Sequence, residues 1–172
     1  NWDKLYGKQP YGRGLGIGCG FYISGSALPI IWNHYPQTVV HAKLDFDGRI
    51  VMFSGASDIG QGSDTILAQI ASEELGVPMN YVQLEVADTK TTPVDLGSYS
   101  SRVTFMVGNA AKMAAEKLRN EMAKAIAKEK DVSADDIVFR DNKIFTEDGA
   151  VDISWEDGVE AALAGRGAIV ES

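Results

Sequence analysis

The sequence predicts an α+β fold: a two-layer mixed β-sheet covered by helices, with a small C-terminal ββα unit. Three observations carry that expectation. Apolar and polar residues alternate on both sides of Asp47-Gly48, the pattern of a hairpin. Two later stretches place apolar residues at helical spacing, and a short alternating segment lies between them. The chain has 172 residues, 45% of them hydrophobic and 23% charged, as in an ordinary globular protein. A chain of that length buries about 70% of its unfolded surface and needs no disulfide or structural metal to fold. Residues 1–130 are expected to form the main α+β unit and residues 131–172 a smaller extension.

The elements follow in order. Gly14-Leu15-Gly16-Ile17-Gly18-Cys19-Gly20-Phe21 has period two. A strand there puts Leu15, Ile17, Cys19 and Phe21 on one face and bare backbone on the other. From Thr38 to Phe46, Val40, Ala42, Leu44 and Phe46 alternate with His41, Lys43 and Asp45. Asp47-Gly48 suits a type I′ turn, and Arg49 to Phe53 returns as the second strand. Ser63 is expected to cap a helix in which Asp64 complements the positive end of the dipole. Ile66, Leu67, Ile70, Ala71 and Leu75 form its stripe, and Gly76 and Pro78 mark its end. Tyr81 to Val86 reads as another strand. Ser98 to Arg102 leads into a long helix with Met106, Ala110, Met113, Ala114, Leu118, Met122, Ala125 and Ile126 inward, the methionines as core filler. In the tail, Ile137–Phe139 and Ile144–Thr146 read as a hairpin around Asp141-Asn142. Ser154 and Asp157 form a capping box for a last helix that runs through Val159, Ala162 and Leu163 to Gly165.

Composition excludes several function classes. The net charge of −8 argues against a nucleic-acid or anionic-membrane partner, since both need a basic footprint. No apolar run approaches the ~20 residues of a membrane span, and no signal peptide opens the chain. The lone Cys19 cannot form an internal disulfide and points to a reducing, cytoplasmic setting. The chain opens without Met and stops soon after Ala168-Ile169-Val170, which suits a processed protein or an excised piece.

Familiar catalytic patterns are absent too. There is no G-x-G-x-x-G, so the dinucleotide fingerprint is missing. Gly55 and Gly60 have the spacing of a phosphate-binding P-loop, but Gln61 and Gly62 stand where Lys and Ser/Thr belong, which disfavours nucleotide hydrolysis. There is no H-E-x-x-H, and the only histidines are His34 and His41, the latter on the wet side of its strand. No catalytic residue and no protein metal ligand is expected. Asp58 and Asp95 are candidate bases only by default.

Two donor-rich turns remain. Gly60-Gln61-Gly62 lies between a strand and a helix start, where free N–H groups and the dipole favour an oxyanion. A plain strand-to-helix turn favours glycine equally. Thr91 to Thr104 gathers hydroxyls and Arg102 at another helix start after a strand end. A solvated loop with an N-cap is the alternative there. Together they suggest one polar ligand held between them, and a non-catalytic module for a phosphorylated small molecule also fits.

Taken in order, Gly60-Gln61-Gly62-Ser63-Asp64-Thr65, Asp88-Thr89, Thr92-Pro93 and Gly97-Ser98-Tyr99-Ser100-Ser101-Arg102 resemble the large subunit of the molybdenum hydroxylases, the xanthine dehydrogenase and aldehyde oxidase family. Their form is most similar to the 4-hydroxybenzoyl-CoA reductase branch. The resemblance covers 13–119. It implies a molybdopterin cofactor, often a cytosine dinucleotide in bacteria, which carries molybdenum through its dithiolene. It also implies cofactor contacts at Gly60, Gln61 and Gly62, and at Ser100, Ser101, Arg102, Val103 and Thr104. The implied partners are the remainder of the large subunit and the units that carry iron–sulfur clusters and FAD. The family's catalytic glutamate lies in a Gly-x-Gly-Glu context that does not occur here, and its large subunits are several times longer. The chain therefore resembles a fragment of an oxidoreductase, incomplete and inactive alone.

Overall fold

The computed structural model describes residues 7, 10–22, 37–164 and 169–171. Strands β1 (Val40–Leu44) and β2 (Ile50–Ser54) form the expected hairpin, with Leu44 opposite Ile50. Val40, Ala42 and Leu44, with Ile50, Met52 and Ser54, turn to the core, and the alternate residues are half-buried. The turn differs from expectation. A type I′ turn needs positive φ at both central residues. Of the turn residues only Gly48 has one, at 79°. Its N–H donates to the Asp45 carbonyl (3.0 Å), and the Asp45 N–H donates to the Arg49 carbonyl (3.0 Å). The turn is thus wider, and Phe46 swings out to 73% exposure.

Helix α1 (Ser63–Leu75) carries the chain to β3 (Val82–Val86), which pairs parallel with β2. Strand β7 (Ile169–Glu171), which the sequence did not announce, pairs antiparallel with β1. The mixed sheet therefore runs β3-β2-β1-β7. One π-helical turn, Val103–Val107, precedes helix α2 (Gly108–Lys130). Both helices pack against the sheet and against each other. A Cβ on Gly108 would lie 2.9 Å from Ile70 Cδ1, so the two helices approach closely. The buried line of α2 runs through Ala111, Ala114, Ala115, Leu118, Met122 and Ile126. Met113, expected inward, is 57% exposed. Alanines fill that close seam better than a methionine, and they give little contrast from which to read the helical phase.

The glycine-rich segment is a correction. Residues 11–22 form no strand, and Ile17 and Phe21 are 75% and 99% exposed. Among the described residues, no atom beyond the chain neighbours lies within 4 Å of a Cβ built on Gly14, Gly16, Gly18 or Gly20. Alternation selects a face, but a strand needs a partner, and glycine at every second position raises the entropy lost on ordering.

In the tail, β4 (Val138–Arg140) and β5 (Lys143–Phe145) form the expected hairpin. Asp141 and Asn142 have φ of 54° and 61°, so positive φ at both central residues is found here rather than at Asp47-Gly48. A third strand, β6 (Asp152–Ser154), was not anticipated. Helix α3 (Trp155–Leu163) starts with the capping box of Ser154 and Asp157. Gly165, its expected end, lies outside the described residues. Trp155 is buried, and its indole N–H donates to the Gly48 carbonyl (2.9 Å), tying the tail to the first hairpin. Among the described residues, no helix is long and apolar enough to cross a membrane.

Candidate functional site

The first predicted turn follows β2 and precedes α1. Gly62 is the N-cap in the left-handed region (φ 75°), with no side-chain cap from that position. Ser63, expected at the cap, is the first helical residue. Asp58 acts instead from upstream. Its Oδ1 accepts from the Gly60 N–H (2.7 Å), and its Oδ2 lies 3.5 Å from both the Asp64 N–H and the Ser63 hydroxyl. Backbone N–H groups, that of Gly60 foremost and those of Asp64, Gly62 and Ser63 after it, hold the Asp58 carboxyl below its ordinary pKa. Burial pushes the neighbouring Asp64 up, with the Asp58 charge adding to the effect. Gln61 is folded onto the same turn. Its Oε1 accepts from the Ile59 N–H (2.6 Å), and its Nε2 donates to the Ser63 hydroxyl (2.9 Å) and the Ser57 carbonyl (3.3 Å).

The second turn lies beside the first. Ser98 Oγ donates to the Ser57 carbonyl (2.5 Å), bridging the two. A Cβ on Gly55 would sit 2.4 Å from the Pro93 carbonyl oxygen, so only glycine lets the end of β2 touch this loop. The loop is anchored from beneath by Arg102, which is wholly buried. The guanidinium pairs with Asp95 (2.9 Å) and donates to the carbonyls of Gly97 (2.8 Å) and Gln37 (2.9 Å). Its Nε has no partner among the described residues. Ser100 and Ser101 both have positive φ, 54° and 50°. Such a conformation costs roughly 1–2 kcal/mol per residue and persists only where the surroundings impose it.

Between the two turns lies a cleft of about 360 Å³, lined by Ile59, Gln61, Ser98, Tyr99, Ser101, Arg102, Val103 and Thr104. That volume falls within the range of small-molecule sites. Five of the predicted residues line it: Gln61, Ser101, Arg102, Val103 and Thr104. Gly60, Gly62 and Ser100 do not, although the two glycines flank Gln61 and Ser100 is buried behind Ser101 in sequence. None of the lining residues is acidic, although the chain as a whole carries a charge of −8. The amides of Val103 and Thr104 open a helical segment, where N–H groups lack a partner in a preceding turn. His41 is half-buried on β1 and does not line the cleft. His34 lies outside the described residues.

Ile59, and Ser98 and Tyr99 of the motif run, line the cleft without being among the expected cofactor contacts, and Asp95 supports it from the interior. A signal for Asp95 was present. A loop with one arginine, destined for burial, requires a nearby carboxylate.

The sequence matches the family model described as "Molybdopterin cofactor-binding domain" over residues 1–172. The xanthine dehydrogenase molybdenum-binding subunit of Escherichia coli O157:H7 is 35% identical over 115 residues, covering 64% of this chain and 14% of that subunit. The carbon monoxide dehydrogenase large chain of Hydrogenophaga pseudoflava is 34% identical over 118 residues, covering 63% of this chain and 14% of that one. Among solved structures, reconstituted CO dehydrogenase from Oligotropha carboxidovorans superposes with a TM-score of 0.67 at 23% identity, covering 77% of this chain and 17% of that one. At that identity the likeness is one of fold. The chain spans a small part of each of these relatives.

Proposed function

The chain belongs to the molybdopterin cofactor-binding domain family, and from that premise we propose that its cleft holds the polar, anionic portion of the cofactor. The observation that carries this reading is the loop over Arg102. A wholly buried guanidinium, its Nε without a partner among the described residues, stands in the wall of a cleft that no carboxylate among those residues lines. Ser101, Thr104 and the amides of Val103 and Thr104 supply further donors at the same wall. That donor set fits phosphate and pterin oxygens. Gln61 faces it with an amide that both donates and accepts.

When bound, the cofactor supplies redox-active molybdenum through its dithiolene. The chain's own residues bind and orient. Arg102 acts mainly from below, holding the loop, while hydroxyls and amides meet the ligand. Gln61 must give up its bonds to Ser57 and Ser63 before it can do the same.

We extend the proposal to the whole protein, of which this chain would form one part. It would be a molybdenum hydroxylase or dehydrogenase acting on a carbon centre with water, or its reductive counterpart in the 4-hydroxybenzoyl-CoA reductase branch. The cofactor would be the cytosine dinucleotide form, in a cytoplasmic enzyme. Its partners would be the rest of the large subunit and units bearing iron–sulfur clusters and FAD. Relatives named as subunits, among them the "Nicotine 6-hydroxylase large subunit" of Paenarthrobacter nicotinovorans, support a multi-subunit arrangement. The test is metal content. Gln61→Ala and Arg102→Ala in the whole subunit are expected to lower molybdenum occupancy, measured by elemental analysis of purified protein. Thr104→Val, at an exposed position, should do so without loss of stability. Full occupancy with normal activity in all three would exclude the assignment.

A further inference from the structure

We infer that Asp95 is the positioning residue of the cofactor loop, acting through Gly97 and Arg102 without touching the ligand. The inference rests on the reading of the cleft as a cofactor site. One oxygen of Asp95, Oδ1, accepts from the Gly97 N–H (2.7 Å) and from Arg102 Nη1 (2.9 Å). Nη1 also donates to the Gly97 carbonyl (2.8 Å), so Asp95, Gly97 and Arg102 form a closed ring of bonds. Everything between Gly97 and Arg102 is a short bridge whose two ends this ring clamps. Ser98, Tyr99 and Ser101 of the cleft wall belong to that bridge, and Ser100 and Ser101 hold their positive φ within it.

The clamp is fixed to the sheet layer. Thr38 forms an isolated bridge with Asp95, and the Gln37 carbonyl accepts from both the Leu96 N–H (3.2 Å) and Arg102 Nη2 (2.9 Å). The side chains of Asp95 and Arg102 are both 0% exposed, and Asp95 does not line the cleft. Its effect on a ligand must therefore pass through the loop.

A purely electrostatic role makes the opposite prediction. A carboxylate behind an anion site opposes anion binding, so deleting it would strengthen binding. A positioning role means that deletion weakens binding, because the donors lose their arrangement. The sign separates the two.

The experiment compares the 172-residue chain with its Asp95→Ala and Asp95→Asn variants. Inorganic pyrophosphate binding is measured by calorimetry below each melting transition, and amide hydrogen exchange is followed over 98–104. Asp95→Ala is expected to weaken pyrophosphate binding about tenfold or more. It should also speed exchange at 98–104 while β1 and α2 keep their protection. Asp95→Asn keeps an acceptor for both bonds and removes the charge, so it should bind within about threefold of the parent chain. Asp95→Ala binding as tightly as the parent, or more tightly, overturns the inference. So does unchanged exchange over 98–104. Where Asp95→Ala does not fold, Asp95→Ser replaces it with the same expected sign. A parent chain that gives no heat with pyrophosphate overturns the cofactor-site reading, and the exchange data then decide the clamp alone.

Discussion

The two turns that face each other across the cleft are built in opposite ways. In the Gly60–Gly62 turn, the side chains of Asp58 and Gln61 are bonded to the turn's own backbone and to Ser63, at the surface. In the Ser98–Thr104 loop, the strongest bonds lie in the interior, between groups shielded from water, and hydroxyls are left on the outside. The first turn is complete without a ligand and must open to receive one. The second is held in shape by the core and presents its donors already arranged. The two turns thus differ in where the nearby carboxylate acts: Asp58 takes up the donors of the first turn at the surface, and Asp95 braces the second from the interior.

Substitutions can break or sharpen this contrast. The largest effect is expected at Arg102. Arg102→Ala leaves the buried Asp95 unpaired and should cost about 3–5 kcal/mol, read by chemical denaturation. Next is Gly55→Ala, whose Cβ meets the Pro93 carbonyl and must push the second loop off β2. A loss of about 1–3 kcal/mol by the same measurement is expected. Gln61→Ala, in the exposed turn, should change stability by no more than about 0.5 kcal/mol. A Gln61 effect as large as that of Arg102 would erase the distinction between the turns.

The smallest effect is a change in slope. The folded-state pKa of Asp58 lies below its ordinary 3.8. Its contribution to stability is therefore present above that value and lost as pH falls through the folded one. Asp58→Asn should flatten the acid limb of melting temperature against pH below about 4. An unchanged limb would mean that Asp58 does not cap α1 in solution.

Much of this was legible along the chain. Period two marked β1, β2 and β3, and the Ser154–Asp157 capping box marked α3, because each is decided by neighbours in sequence. The motif run from Gly60 to Thr104 located both walls of the cleft. What escaped was decided at a distance. Gly14–Phe21 has the alternation of a strand but no partner among the described residues. The three residues of β7 carry no pattern of their own and are a strand only because β1 has a free side. The ion pair of Arg102 also escaped, because its Asp95 partner lies seven residues earlier and became adjacent only when the loop folded. The turn types at Asp47-Gly48 and Asp141-Asn142 were separated by loop length, which residue preference alone does not set.

Strand β1 lies between β2 and β7. A ribosome delivers these neighbours at very different times. β2 emerges within a few residues of β1, whereas Ile169–Glu171 arrives after the helices and the second sheet. Until residues 169–171 arrive, then, Val40–Leu44 has one bonded side and one open row of amides and carbonyls. An open strand edge is a template for another nascent chain. His41 and Lys43, on the face away from the core, are the polar residues that discourage such pairing in the interval. A copy that stops a few residues short of β7 should therefore fail first by clumping during translation, before any loss of ligand could be measured.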